Sequence, residues 1–295
     1  MKLYIQINFG SGLGDFFAYF YEVYFFSKEM KNKGYNINII IHTKNKINFK
    51  ELFEEKYYNV FNSFEIKSEV TTHLNFTNYK VVNINLNSIG DQSWELFAPI
   101  EFNEPFLFKK FNLVSQTNYD NLIDFPKLNT HIIDKINYFI RDKELDDFVV
   151  IHFRDRDDIA DQYNSQLISN NSQLLYNNLN KEVLEKLKYI TQHNKKVFVC
   201  SNNIQIKILL DELYPNVIIY KDNVETILKR TYSDDDYFMH CITEFYIISK
   251  ATKIFSFSNY SWVSNFLIYG LLHSKNKPIN PNDSENNFFE TCGDF

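Results

Sequence analysis

At 295 residues the chain is long enough for two domains of ordinary size, or for one large α/β domain with a sizeable core. Its 31 Lys and Arg against 37 Asp and Glu give a net charge of −6 with no long basic block, which excludes a nucleic-acid backbone as the main partner. Cys200, Cys241 and Cys292 have no metal-ligand spacing and are odd in number, which excludes a disulfide framework, and no run approaches the ~18 apolar residues of a membrane helix.

The N-terminal "MKLYIQINFG" lacks the apolar stretch and small-residue cleavage site of a signal peptide, so with its reduced cysteines the protein reads as cytoplasmic, with no transmembrane segment. Alternation in "KLYIQINF" predicts a strand, followed by a glycine turn and a helix over about 15–33 that Gly34 is placed to stop. Strands "NINIIIH" (36–42) and "YKVVNINL" (79–86) come next. Strand, helix, strand in this order points to a parallel sheet with crossover helices. Residues 87–125 read as irregular, broken by Pro99 and Pro105. A core-facing helix over about 127–145, carrying Ile132, Ile133, Ile136, Phe139 and Ile140 at helical spacing, is expected to close a first domain of residues 1–145.

A second alternating series fills 146–295: strand "DFVVIHFR", helix 181–193, strand "KKVFVCS", helix 204–213, strand "NVIIY", helix about 235–250, strand "KIFSFS" and helix 261–272. The expected fold is α/β, with two Rossmann-like domains whose parallel sheets face a central cleft at the carboxyl ends of their strands. The 29 Phe and 20 Tyr accompany many Asn, Lys and Ile, a mix that fits an AT-rich coding sequence, and are not read as a special aromatic surface.

Four strand ends carry candidate chemistry. In "GSGLGD" (10–15), Gly12 and Gly14 let the backbone turn tightly at a helix N-terminus, where free N–H groups favour an anion; the alternative is a plain structural turn. The spacing G-x-G-x-G is not the dinucleotide fingerprint, and "HTKN" stands where its ribose-binding acid would be. In "VVIHFRDRDD" (149–158), alternation puts His152 and Arg154 on one face. Arginine's planar fork suits a phosphate, and Asp157 is the natural carboxylate to orient it; the alternative is a salt-bridged surface turn. In "SFSNYSW" (256–262), Ser256, Ser258, Asn259, Tyr260 and Ser261 offer more polar groups than a helix cap needs. At the same rim, Ser201, Asn202 and Asn203 of "VFVCSNN" either hydrogen-bond a ribose or base or cap the following helix.

In this order the glycine loop with its aromatic-rich helix, the H-x-R-x-x-D pattern of His152, Arg154 and Asp157, "VFVCSNN" and "SFSNYSW" resemble the α1,2-fucosyltransferases and, more broadly, the superfamily shared with α1,6- and protein O-fucosyltransferases. The resemblance runs from Gly10 to about Tyr269. It implies a two-domain GT-B enzyme that takes GDP-fucose, inverts the anomeric centre, needs no metal ion or other cofactor, and passes fucose to a glycan or glycoconjugate acceptor. It further implies that Arg154 neutralises the diphosphate, that His152 lies against the nucleotide, and that Ser258, Asn259, Tyr260 and Ser261 form the phosphate loop. The first domain then supplies most of the acceptor site, with Asp15 and Asp157 as candidate bases. Four positions depart from the family pattern: Asp15 replaces an asparagine, Asn202 and Asn203 take acidic places, and Asp155 replaces a second arginine. The alternatives are a GT-B transferase for another nucleotide sugar and a non-catalytic sugar-binding protein on the same fold.

Overall fold

The first two strands, β1 (Lys2–Phe9) and β2 (Asn36–Thr43), run parallel in one-to-one register from Lys2 against Asn36 to Phe9 against Thr43, joined by α1 (Leu13–Asn32). They belong to a computed structural model that describes residues 1–9, 13–43, 51–67, 78–83, 94–101, 127–155, 179–221, 234–259, 264–272 and 289–292. Contacts divide the chain into two compact units, 1–132 and 133–295.

In the first unit Gly34 ends α1 as expected. Its φ is +86°, its N–H bonds Lys31 O at 2.9 Å, and Tyr35 N–H bonds Met30 O at 3.0 Å, the paired closure of a glycine C-cap. A short helix α2 (Glu55–Tyr58) precedes β3 (Ser63–Lys67); β4 (Tyr79–Asn83) and β5 (Trp94–Pro99) follow. The sheet order is β3-β2-β1-β5-β4. A wholly parallel first sheet is not what forms: β5, within the stretch read as irregular, pairs antiparallel with β1, and β4 antiparallel with β5. Buried Phe17, Phe20 and Tyr21 of α1 gather around Phe53, whose ring stacks on Phe20 at 4.6 Å, and buried Phe16 stacks on Phe20 in turn. The phenylalanines that composition alone made unremarkable thus build this core.

The second unit begins inside α3 (Thr130–Asp142), three residues shorter at each end than the pattern predicts. Phe139 of α3 packs edge-on against Phe198 and Tyr220, so the helix from Ile133 onward goes with the second unit. Then come β6 (Val149–Arg154), α4 (Lys181–His193), β7 (Val197–Ser201), α5 (Ile204–Leu213), β8 (Val217–Ile218), α6 (Asp234–Ile248), β9 (Lys253–Ser258), α7 (Asn265–Leu272) and β10 (Phe289–Thr291). All pairs in this sheet are parallel, in the order β10-β9-β6-β7-β8. Alternate residues Val149, Ile151 and Phe153 of β6, with Val199 and Phe257, face Val183, Leu187 and Ile190 of α4 and Ile206, Leu209 and Leu210 of α5. On the opposite face His152 lies parallel to Phe266 of α7. The chain therefore winds out through β7 and β8, then returns through α6 to β9 on the far side of β6. Helices on both faces of a parallel sheet make the doubly wound α/β arrangement. No helix among the described residues is long and apolar enough to cross a membrane.

Candidate functional site

In an open α/β sheet the strand order reverses at one place, and the crevice beyond the carboxyl ends of those two strands is where such sheets take ligands. Here that place lies between β6 and β9, whose register pairs His152 with Ser256 and Arg154 with Ser258. The ladder continues one step past the strand, with Asn259 N–H donating to Arg154 O at 3.1 Å. Half-buried Arg154 turns its Nη1 onto the carbonyl of Asp155 at 3.2 Å.

Asp155 is the centre of the rim. It is only 2% exposed, and both carboxylate oxygens are held: Oδ2 accepts from Asn203 Nδ2 at 3.1 Å, and Oδ1 from Asn259 Nδ2 at 2.9 Å. Asn202 grips the backbone of the same residue, its Oδ1 accepting from Asp155 N–H and its Nδ2 donating to Asp155 O, each at 2.9 Å. Asn203 Oδ1 also caps α5 by accepting from Gln205 and Ile206 N–H, while Ser201 Oγ accepts from Asn203 N–H. The capping alternative is therefore the one Asn203 adopts. One buried carboxylate and three asparagines tie the ends of β6, β7 and β9 together.

His152 lies beneath this rim at 4% exposure, its ring 6.4 Å from that of Phe266. Burial pushes its pKa down to about 4, the Arg154 charge adds to that, and the Glu244 charge opposes it, so the ring is neutral at pH 7. Its Nδ1 has no hydrogen-bond partner among the described residues. Ser256 and Ser258 are buried at the end of β9. Gly14 is buried in the first turn of α1, in the first unit, and the backbone of Asp15 belongs to the same turn. The side chain of Asp15, together with Gly12, Asp157, Tyr260 and Ser261, lies outside the described residues.

Two features escaped the sequence reading. Asp155 registered there only as a replaced arginine, because its partners lie 48 and 104 positions away. Behind the rim, fully buried Lys207 of α5 donates from Nζ to Glu244 Oε1 at 2.5 Å and to His240 Nε2 at 2.8 Å, both on α6. The signal was present: a lone lysine in the apolar run "IQIKILL", and His240 and Glu244 four apart on one helix face. A cavity of about 920 Å³ also opens in this unit, lined by Phe139 and Arg141 of α3, Val217 and Tyr220 at β8, and Met239 and Thr243 of α6. None of the candidate residues at the ends of β6, β7 and β9 lines it.

No family model matches this chain, and no curated protein matches it. Among solved structures it is similar to the fucosyltransferase NodZ from Bradyrhizobium, at 10% identity over 93% of this chain and 94% of that one, with a TM-score of 0.47. It is also similar to NodZ alpha-1,6-fucosyltransferase soaked with GDP-fucose, at 10% identity over 93% of each chain, with a TM-score of 0.42. At that distance the likeness assigns neither family nor substrate.

Proposed function

We propose that the protein is an inverting, metal-independent glycosyltransferase that transfers L-fucose from GDP-fucose to a hydroxyl of a glycan acceptor. One placement carries the reading: Arg154 stands at the carboxyl end of β6 beside Ser258 and Asn259 of β9, where the strand order reverses. A guanidinium at that point can give two charge-assisted hydrogen bonds to a diphosphate. The motif resemblance through His152, Arg154 and the serine loop names the sugar nucleotide.

In the reaction the acceptor oxygen attacks the anomeric carbon from the face opposite the nucleotide, through an oxocarbenium-like transition state. The bond from that carbon to the β-phosphate oxygen breaks, GDP leaves with the electron pair, and the acceptor proton passes to a carboxylate, for which Asp15 and Asp157 are the proposed groups. Charge builds on the departing β-phosphate, so donors positioned there supply the main acceleration. Arg154 is one, and N–H groups of the segment after Ser258 are proposed as others.

Calorimetric titration with GDP, without added metal, tests the reading in the wild type and in Arg154→Ala. Binding in the first and its loss in the second is the expected result, with turnover down by about 10²- to 10³-fold. Wild-type behaviour in the variant would remove Arg154 from the donor site. A different nucleotide sugar is favoured by one observation: Asn202 and Asn203 are engaged on Asp155 and α5, and the end of β7 offers guanine no carboxylate. The same titration with UDP and dTDP separates the two. Absence of both nucleotide binding and donor hydrolysis would leave the non-catalytic sugar-binding reading.

A further inference from the structure

Asn203 has no freedom in how it presents its amide. Its oxygen accepts the N–H groups of Gln205 and Ile206 at the start of α5, so its NH₂ must be the end that faces Asp155. The group at 155 has to be an acceptor there; a lysine or arginine would set donor against donor in a place that is almost fully buried. Asn259 makes the same demand from β9, through Nδ2 to Oδ1, while its own backbone N–H holds Arg154 O. The peptide that carries Arg154 is thus gripped from β7 by Asn202 and Asn203 and from β9 by Asn259. The arginine's Nη1 then rests on the carbonyl at the centre of that grip.

We infer that Asp155 is the positioning residue of the diphosphate subsite: it touches no substrate, and by splinting the ends of β7 and β9 to β6 it sets where Arg154 presents its guanidinium. This rests on the donor reading given above. What these two contacts need at 155 is an acceptor for two fixed amides. It follows that the acid and the amide at 155 and 203 are exchangeable as a pair. In the double variant Asp155→Asn/Asn203→Asp, one oxygen of residue 203 caps α5 and the other accepts from the new amide at 155, whose oxygen receives Asn259. Each of these hydrogen bonds is kept and the negative charge moves to the end of β7. In Asp155→Asn alone, one amide donor is left facing another.

The test titrates GDP and guanosine into wild type, Asp155→Asn, the double variant and Arg154→Ala, with thermal unfolding of each free protein as the control on stability. Asp155→Asn is expected to weaken GDP about tenfold, to leave guanosine unchanged, and to be restored to near wild type by the second substitution. GDP binding that survives Asp155→Asn but is lost in Arg154→Ala overturns the inference and keeps the donor reading. A double variant that regains thermal stability without regaining GDP overturns it too, by showing that the charge at 155 is used directly. Absence of GDP binding in the wild type overturns both.

Discussion

Arg154 owes its proposed role to the shape of its side chain as much as to its charge. A lysine at the same strand end would keep the charge, reach with a single point donor, and lose both the planar fork and the bond that Nη1 makes to Asp155 O at 3.2 Å. Arg154→Lys is accordingly expected to retain more GDP affinity than Arg154→Ala while turning over at least about tenfold more slowly than wild type, since the fork matters most where leaving-group charge builds. Equal kinetics for lysine and arginine would show that a point charge suffices. The face of β6 that carries Arg154 was legible in the sequence because alternation is local: Phe153 does go to the core, stacked on Phe257 at 4.7 Å, and His152 to the opposite side. The three asparagines around Asp155 were visible as residues but not as a set. Nothing in a linear pattern tells one strand end which amide will reach it from another strand, and so the hold on Asp155 was not legible; Asp157, the carboxylate the pattern points to, lies outside the described residues.

Helix and strand ends show the same division between local and distant causes. Gly34 announced the end of α1 because glycine alone takes φ near +86° without strain. Glu144 closes α3 in the same way, at φ +50° with Leu145 N–H on Ile140 O at 2.9 Å, and no residue type signalled it. The antiparallel β5 was illegible because its pairing with β1 spans the long stretch between residues 9 and 94, with no hairpin turn to mark it. Between elements, the link from α5 to α6 is ionic and buried. Burial works against the Glu244 carboxylate, but Lys207 and then His240 outweigh it and hold its pKa below the ordinary value. Glu244→Leu strands the Lys207 ammonium in a site of 0% exposure, and is expected to cost about 3–5 kcal/mol in urea unfolding. Adding Lys207→Met should recover most of that loss, because a buried pair replaced whole by apolar groups of similar volume is often neutral. Failure of the double variant to recover would mean that His240 depends on the pair for its own place.

Across the whole molecule, the same buried groups give stability a pH dependence with a definite sign. His152 titrates near 6.5 when unfolded and at about 4 when folded, so between those values the unfolded chain binds the extra proton. Stability from this residue is complete above about pH 6.5 and is lost as pH falls toward 4, a change of roughly 3 kcal/mol. Glu244 acts lower and in the same direction, since its depressed pKa contributes stability above about 4.5 that disappears as pH drops through the folded value. With a pI near 5.7, net charge passes through zero inside the first of these windows, where weakened folding and weakened repulsion between molecules coincide. The urea midpoint is therefore expected to stay level from pH 8 to 7, to fall from about 6.5 downward, and to fall further below 4.5. Replacing His152 with Phe, which can keep the parallel packing on Phe266, should flatten the upper part of that decline and leave the lower part to Glu244. A wild-type midpoint that held constant down to pH 5 would show that His152 takes up its proton without leaving the fold, and that the space beneath the strand ends admits a charge that its burial argues against.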